Sequence, residues 1–343
     1  MSDSPAQTAA AVPAAPPSPV LHVAPGPHLF NASLTTRRMM LDVLIGLSPI
    51  LAMGAYVFGL YLLKQLAVCV LGCMLAEAVF TAMRRRRPRL GDLSAVVTGA
   101  LLALSLPGTT PWYVGLVASF TAVGLGKIVF GGLGQNLFNP AMVGRAFVMF
   151  AFPAALGARG YVAEQAYAFT DAVTRATPMS AGFKGGQPFD LMPLLLGTTN
   201  GSMGEVSAIA CLLGGLYLCL RRTASWEIPL GVILGAAAIA GLDNALHPGS
   251  DWTALHHLLG GALLFGAFFI ATDPVSSPLT PRGKFIFGAG IGVLVMFLRL
   301  FSSYPEGVMF SVLVFNSLAP LINRWTVPRP VGGPAFAGGK EAK

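Results

Sequence analysis

The chain has 343 residues, of which 54% are hydrophobic and only 10% are charged. Soluble domains carry about 25% charged residues, so this chain has too few charges to cover a water-facing surface of its size. The composition excludes a soluble globular enzyme and indicates an outer surface that faces lipid. The formal net charge of +8 indicates basic cytoplasmic loops rather than nucleic-acid binding.

The apolar runs predict an all-α polytopic membrane protein with about ten transmembrane helices. Residues 1–28 are rich in Pro and Ala and lack the features of a signal peptide, so we expect a disordered cytoplasmic tail there. A transmembrane bundle at 29–330 and a second cytoplasmic tail at 331–343 follow. The runs lie near 39–63, 65–83, 92–106, 112–130, 140–156, 202–220, 228–242, 254–272, 284–300 and 307–322.

Two of these runs, 92–106 and 228–242, are short for a membrane span. A helix needs about 20 residues to cross the hydrocarbon core. These two runs therefore predict half-helices or tilted helices.

The distribution of Lys and Arg predicts the orientation in the membrane. Basic residues are retained on the cytoplasmic side of short loops. If the N-terminus is cytoplasmic, most of the Lys and Arg residues lie on the cytoplasmic side, among them Arg37, Arg38 and the run from Arg84 to Arg87. We therefore expect a multi-pass protein of the bacterial inner membrane with both termini cytoplasmic and a long periplasmic loop at about 157–201.

A short internal match suggests a repeat. The tetrapeptide Gly-Ala-Leu-Leu occurs at 99–102 and again at 261–264. Five spans per half would form a five-plus-five inverted repeat with short or broken helices, as in many transporters. A flavin-free channel or secondary transporter of a small solute is therefore an alternative function, and a structural scaffold is a third.

The segment 131–140, GGLGQNLFNP, lies between the fourth and fifth spans. Its glycines permit positive φ, Asn139 suits a helix cap, and Pro140 suits the first helical turn. The segment is either a tight turn between helices or a backbone cradle. In a cradle, the amides of Asn136 and Asn139 would bind a heterocycle or a phosphate.

The segment 197–205, GTTNGSMGE, leads into the sixth span. Free N–H groups at a helix start bind anions, so the segment is a candidate phosphate site. Ser202 and Glu205 also have the spacing of a capping box. Both interpretations use the same N–H groups and can hold together.

Acidic residues at membrane depth are costly and usually functional. Asp273, before Pro274, is either a turn former or a ligand and proton acceptor. Glu77 and Lys127 form an ion pair or, as we expect for Lys127, the lysine snorkels to the interface. The sequence predicts no metal site, because the four cysteines lie in apolar runs and His256 and His257 have no partner histidine.

Four segments together resemble the D subunit of the Rnf electron-transport complex, which is related to the B subunit of the sodium-pumping NADH:quinone oxidoreductase. The resemblance extends over about residues 28 to 330. The segments are GGLGQNLFNPAMVGRAF at 131–147, DAVTRATP at 171–178, FFIATDPVSSPLTPRGK at 268–284 and YPEGVMFSVLVFN at 304–316.

The resemblance implies a flavoprotein. In the family, the last threonine of a D-x-x-[ST]-x-A-T motif carries FMN through a phosphoester bond, a phosphothreonine linkage that here implies Thr177. Ala172 and Arg175 stand where glycines are common. The candidates for the surrounding FMN site are Asp171, Thr174, Arg175, Ala176, Ser202, Gly204 and Glu205.

The resemblance also implies a non-covalent riboflavin within the bundle, with Asn136, Asn139 and Gly134 as candidates. Asp273, Glu77 and Asp42 are the candidates for ion coupling, with either protons or sodium. The implied function is that of a membrane component of an ion-translocating ferredoxin:NAD oxidoreductase. The implied partners are the A, B, C, E and G subunits, ferredoxin and NAD through these siblings, and a flavin transferase, with no nucleic acid.

Overall fold

A computed structural model of the chain describes residues 35–85, 90–156, 191–197, 202–205, 207–247, 252–302 and 307–328. All regular elements within these ranges are helical. The predicted tails at 1–28 and 331–343 lie outside them, as does most of the predicted loop at 157–201.

Most of the helices follow the predicted apolar runs, whereas a short helix at Leu191–Leu196 lies in the segment predicted as a loop at 157–201. The helices are α1 Thr36–Phe58, α2 Leu60–Met83, α3 Ser94–Ser105, α4 Trp112–Val123, α5 Pro140–Ala151, α6 Pro153–Leu156, α7 Leu191–Leu196, α8 Ala208–Leu220, α9 Glu227–Leu246, α10 Ala254–Leu259, α11 Leu263–Phe265, α12 Pro281–Phe301 and α13 Val308–Thr326. Five of them, α1, α2, α9, α12 and α13, are long and apolar enough to cross a membrane. Shorter apolar helices are α3, α5, α8 and the continuous stretch Trp112–Ile128. The all-α polytopic fold class is confirmed.

The positions of the short and broken helices differ in part from expectation. The run at 92–106 forms α3, whose 12 residues rise about 18 Å and cannot cross the hydrocarbon core. For the run at 228–242 the half-helix interpretation is wrong, and a tilted helix stays a prediction. Helix α9 has 20 residues because its charged and polar ends, including Glu227 and Asp243, continue the helix beyond the apolar run.

The eighth run, 254–272, contains the interrupted helix instead. Helix α10 ends at Leu259, and Gly261 adopts a φ of +70° before the chain turns into α11. Such a break leaves carbonyl groups without helical partners. The guanidinium of Arg299 provides the missing partners, because it donates hydrogen bonds to His257 O at 2.6 Å and to Gly260 O at 3.0 Å.

Helices α9 and α12 pack with their backbones in close approach, because glycines from each helix meet the other. A Cβ added at Gly235 would lie 2.4 Å from the carbonyl oxygen of Ala289, and one added at Gly292 would lie 2.2 Å from that of Val232. Gly231 and Gly288 make similar contacts one turn away. This is the small-xxx-small packing that drives helix association in lipid.

Helix contacts recur in the same order in the two halves. Helix α2 packs on α4 and α4 on α5, while α9 packs on α12 and α12 on α13. Helices α1 and α8, the first of each half, contact each other. The order fits five helices per half, and the inverted orientation stays a prediction.

The Gly-Ala-Leu-Leu match does not mark equivalent positions. Gly99 lies within α3, where a Cβ would come 2.6 Å from the Cα of Val70. Gly261 instead forms the turn between α10 and α11.

Replacing Gly235 with alanine should destabilise the bundle, because the new methyl group overlaps a backbone atom that cannot rotate away. Overpacking of this kind costs about 1–3 kcal/mol. We expect a lower melting temperature of the protein in detergent. Gly241→Ala is the matched control in the same helix, since no atom lies within 4 Å of its added Cβ. An equal loss in both variants would show that close packing is not the cause.

Candidate functional site

Two π-helical turns form the frame of the candidate site. Gly124–Ile128 continues α4, and Gly266–Ile270 continues α11. Single π turns inside helices are rare and occur frequently at functional sites. The last carbonyl of each turn accepts a hydrogen bond from a side chain elsewhere: Ile128 O from Arg84 Nη1 at 2.8 Å and Ile270 O from Asn139 Nδ2 at 3.1 Å.

A cavity lies between these turns and the loops that follow them. Counted out to its open mouth, the cavity has a volume of about 810 Å³. Most of the wall is apolar, with a few polar groups that converge on it, as in sites for small molecules and cofactors. The polar residues in the wall are Ser94, Thr98, Lys127, Asn136, Asn139, Thr223, Thr272 and Asp273.

Asn139 joins the two halves of the site. Its Oδ1 accepts hydrogen bonds from the backbone N–H groups of Ala141 at 3.0 Å and Met142 at 3.4 Å, which confirms the predicted helix cap. Its Nδ2 donates to Ile270 O. Both polar atoms of this amide therefore already serve the fold.

Asn136 is placed differently. Its Nδ2 donates to Phe138 O at 3.1 Å and contacts Asp273 Oδ2 at 3.5 Å. Within the described residues its Oδ1 makes no hydrogen bond to the protein, and the residue lines the cavity. Asn136 can therefore offer an acceptor to a ligand. Gly134, with a φ of +90°, is an exposed turn residue outside the cavity wall.

Asp273 forms a turn at the mouth of the cavity. Its carboxylate accepts hydrogen bonds from the Val275 N–H at 3.2 Å and the Ser276 hydroxyl at 3.0 Å. The turn-forming interpretation is confirmed. Since the residue also lines the cavity, a role toward a ligand or an ion stays a prediction.

Glu77 and Lys127 form a buried ion pair. Lys127 Nζ lies 2.8 Å and 2.9 Å from the two carboxylate oxygens of Glu77 and 2.6 Å from Ser94 Oγ. Lys127 is only 2% exposed, so the expectation that it snorkels is wrong. The reason is the π turn, which holds the lysine inside the bundle, where a carboxylate and a hydroxyl meet its ammonium group.

Asp42 belongs to a separate buried cluster on α1. Its carboxylate accepts hydrogen bonds from the Tyr217 hydroxyl at 3.4 Å, Arg221 Nη2 at 3.4 Å and the Thr223 hydroxyl at 3.2 Å. These contacts fasten α1 to the end of α8. Asp42 does not line the cavity, although Thr223 does.

The predicted anion site at 202–205 is not a helix start. Helix α8 begins later, at Ala208, and its cap is Ser207, whose hydroxyl accepts from the Ala210 N–H at 3.3 Å. Ser202 donates to Glu205, and the Gly204 N–H donates to Leu104 O at 2.7 Å. The capping box at Ser202 is therefore wrong, because this segment pairs with the end of α3 before the helix begins.

The remaining FMN candidates lie outside the described residues. They are Asp171, Thr174, Arg175, Ala176 and the predicted attachment residue Thr177.

Comparison with known proteins identifies the family of the chain. A model of the NQR2, RnfD, RnfE family matches residues 22–332. The chain belongs to this family. The resemblance seen in the four sequence segments is thereby confirmed.

Related proteins align over nearly their whole length. The D subunit of the Na(+)-translocating ferredoxin:NAD(+) oxidoreductase complex of Acetobacterium woodii is 41% identical, over 91% of this chain and 95% of the relative. The D subunit of the ion-translocating oxidoreductase complex of Halorhodospira halophila is 40% identical, over 90% and 94%. The D subunit of the proton-translocating ferredoxin:NAD(+) oxidoreductase complex of Clostridium ljungdahlii is 35% identical, over 91% and 96%.

Two site residues escaped the sequence analysis. Ser94 contacts Lys127, and Asp92 accepts hydrogen bonds from both the N–H and the hydroxyl of Ser94, at 2.9 Å and 2.7 Å. The sequence did carry one local signal, the Asp-Leu-Ser segment at a helix start. An aspartate in that position typically accepts a hydrogen bond from the backbone N–H two residues later. Nothing in that spacing points to a lysine 33 residues away.

Removing one member of the ion pair should lower the free energy of unfolding far more than removing both members. Glu77→Gln leaves a buried ammonium without its counter-charge, and breaking a buried pair costs about 3–5 kcal/mol. The double variant Glu77→Gln/Lys127→Gln removes both charges and should recover much of the loss. Melting temperatures of the wild type, the two single variants and the double variant in detergent measure this cycle. Additive losses would mean that the two side chains do not interact in the membrane protein.

Proposed function

We propose that the protein is a membrane flavoprotein component of an ion-translocating ferredoxin:NAD oxidoreductase complex. The observation that carries the proposal is the 41% identity to the D subunit of such a complex along 95% of that relative's length. The family model matches residues 22–332, a range that includes both the bundle and the segments that the resemblance assigns to cofactors.

The chain acts as one part of an electron-transfer assembly. Its sequence has no dinucleotide-binding fingerprint, and within the described residues no three His, Cys, Asp or Glu side chains group as metal ligands. Exchange with ferredoxin and NAD is therefore assigned to the sibling A, B, C, E and G subunits. The chain itself carries electrons within the membrane and couples their movement to an ion.

We assign the covalent FMN to Thr177, attached through a phosphoester by a flavin transferase. The support is the sequence DAVTRATP at 171–178, which retains the aspartate, the first threonine and the final Ala-Thr of the family motif. A linkage through the phosphate leaves the ring unmodified, so the surrounding protein sets its potential.

We assign the non-covalent riboflavin to the cavity between the two π turns. Apolar walls that include Val43, Leu218 and Phe269 suit the faces of an isoalloxazine ring, and the amide oxygen of Asn136 suits its polar edge. The ammonium of Lys127, whose three hydrogens bond Glu77 and Ser94, adds positive charge to the wall. When bound there, a flavin would supply one- or two-electron transfer. Asn139 contributes indirectly, since it holds the two walls together.

Covalent FMN can be tested by peptide mass spectrometry on protein from native membranes. Trypsin cleavage after Arg175 and Lys184 releases Ala176–Lys184, in which Thr177 and Ser180 are the only hydroxyl residues. We expect the mass of FMN minus water on this peptide and its loss in Thr177→Ala.

Ser180→Ala, in the same peptide, and Thr170→Ala, in the preceding one, are the controls and should keep the flavin. An unmodified peptide from an active complex would remove the covalent assignment. Transport of a small solute by the flavin-free chain would then favour the channel or transporter function.

The riboflavin assignment predicts that Asn136→Ala lowers the amount of acid-extractable flavin per complex, because the substitution removes the free amide oxygen from the cavity wall. The covalent FMN should be unaffected. Asn323→Ala, an asparagine that bonds the Leu279 N–H outside the cavity, is the control. Normal extractable flavin in Asn136→Ala would place the riboflavin elsewhere.

A further inference from the structure

A groove opens on the outer surface of the bundle, where α2 ends beside the π turn that continues α4. Apolar side chains of both segments form its walls, namely Phe80, Phe120, Leu125 and Val129, and the guanidinium of Arg84 also lines it. Out to its open side the groove has a volume of about 980 Å³. It shares no lining residue with the cavity of the candidate site. We call it the Arg84 groove.

The π turn Gly124–Ile128 shapes one wall of the groove. A Cβ added at Gly124 would lie 2.9 Å from Cε2 of Phe80, so the glycine lets the two segments approach closely. Leu125 and Val129 lie four residues apart on this wall, and they are 52% and 69% exposed. In a membrane, an apolar wall that is exposed along its length contacts acyl chains.

Arg84 is the polar group of the groove. Its Nη1 donates to Ile128 O at 2.8 Å and so joins the end of α2 to the π turn. A guanidinium has five N–H donors, and within the part of the chain that the structure describes, Nε and Nη2 of Arg84 make no hydrogen bond to the protein. The edge formed by these two nitrogens matches two oxygens of a phosphate in bidentate geometry.

The charge near the groove favours an anion. Residues 80–92 contain five arginines, Arg84 to Arg87 and Arg89, and one acidic residue, Asp92, which gives a net charge of five minus one, or +4. In the predicted orientation this run lies on the cytoplasmic side, where clusters of basic residues next to a transmembrane helix attract anionic lipids.

The backbone cannot provide the same attraction. The C-terminal ends of α2 and of the π turn meet here, and helix C-termini present carbonyl oxygens rather than N–H groups. An anion at this end of the bundle therefore depends on the arginine side chains, of which Arg84 lines the groove.

We propose that the Arg84 groove binds one anionic phospholipid of the cytoplasmic leaflet. Its phosphate lies on the Nε and Nη2 edge of Arg84, and one acyl chain packs against Phe80, Leu125 and Val129. A free phosphate would use the arginine but not the apolar wall, whereas a neutral apolar molecule would use the wall but not the arginine. A phospholipid uses both, and the positive charge of the arginine run selects an anionic one.

The lipid should also stabilise the bundle. Arg84 holds the last carbonyl of the π turn that carries Lys127, and a phosphate on its other edge keeps the guanidinium in that position. A ligand that binds the folded state raises stability by mass action. Phosphatidylglycerol added to the delipidated complex should therefore raise its melting temperature, and phosphatidylcholine with the same acyl chains should raise it less.

Native mass spectrometry of the purified, delipidated complex tests the binding itself. Phosphatidylglycerol and phosphatidylcholine with identical acyl chains are added at equal concentrations. We expect one phosphatidylglycerol to bind about tenfold more tightly than phosphatidylcholine, the effect of roughly one hydrogen bond to a charged group. Equal binding of the two lipids, or equal shifts in melting temperature, would overturn the proposal.

Two arginine variants separate a defined site from general attraction. Arg84→Gln should weaken phosphatidylglycerol binding about tenfold, because it removes the charged contact, and Arg84→Lys should restore only part of it. Arg85→Gln is the matched control, since it removes the same charge from the next, exposed residue, which lies outside the groove. Equal weakening in Arg84→Gln and Arg85→Gln would show diffuse attraction and overturn the site.

A second pair of variants tests the apolar wall without changing the charge. Leu125→Trp fills the groove and should abolish the tightly bound phosphatidylglycerol. Leu71→Trp makes the same change at a leucine of α2 that is 64% exposed and lies outside the groove, and it should keep the lipid. Unchanged binding in Leu125→Trp would overturn the proposal, because the acyl chain would then lie elsewhere.

Photocrosslinking identifies the occupant in the native membrane. A benzophenone amino acid at Val129, incorporated in cells, should form an adduct with a phospholipid, detected as added mass on the peptide that contains this position. An adduct with a neighbouring protein of the complex would overturn the proposal, since a transmembrane helix would then fill the groove. These measurements need no flavin, so the lipid site and the proposed function can fail independently.

Discussion

The constraint on which this structure depends is that a broken helix inside a membrane must find new partners for its backbone. No water is available in the hydrocarbon core, and each unsatisfied carbonyl or N–H costs several kcal/mol. Within the described residues, three interruptions of this kind are each met by a side chain. Arg84 bonds the end of one π turn, Asn139 bonds the end of the other, and Arg299 bonds the carbonyls at the break after α10.

The interruptions are what make room for a cavity. A continuous helix presents a closed backbone, whereas a π turn followed by a loop leaves space and directs side chains into it. Both π turns are followed by loops that line the cavity, and Asn139 ties one loop to the other turn. Elsewhere the bundle is packed as closely as backbones allow, with glycines of α9 and α12 in mutual contact.

The charges of the bundle are arranged in pairs and networks. Glu77 is neutralised by Lys127, and Asp42 by Arg221 with help from two hydroxyl groups. The Glu77 pair differs from the Asp42 cluster because its cation also lines the cavity. The relatives include one protein named for sodium translocation and one named for proton translocation.

The sequence by itself determined the fold class, the family and most of the helices, because long apolar runs and four specific motifs are local signals. It also indicated that Asn139 caps a helix and that Asp273 forms a turn, since both depend on neighbours a few residues away. Only the tertiary structure decided that Lys127 is buried, that α9 is a full-length helix, and that Ser207 rather than Ser202 caps α8. The hydrogen-bond chain from Asp92 through Ser94 and Lys127 to Glu77 joins residues from three separate segments. Such a contact arises from how helices pack, and no periodicity or local motif encodes it.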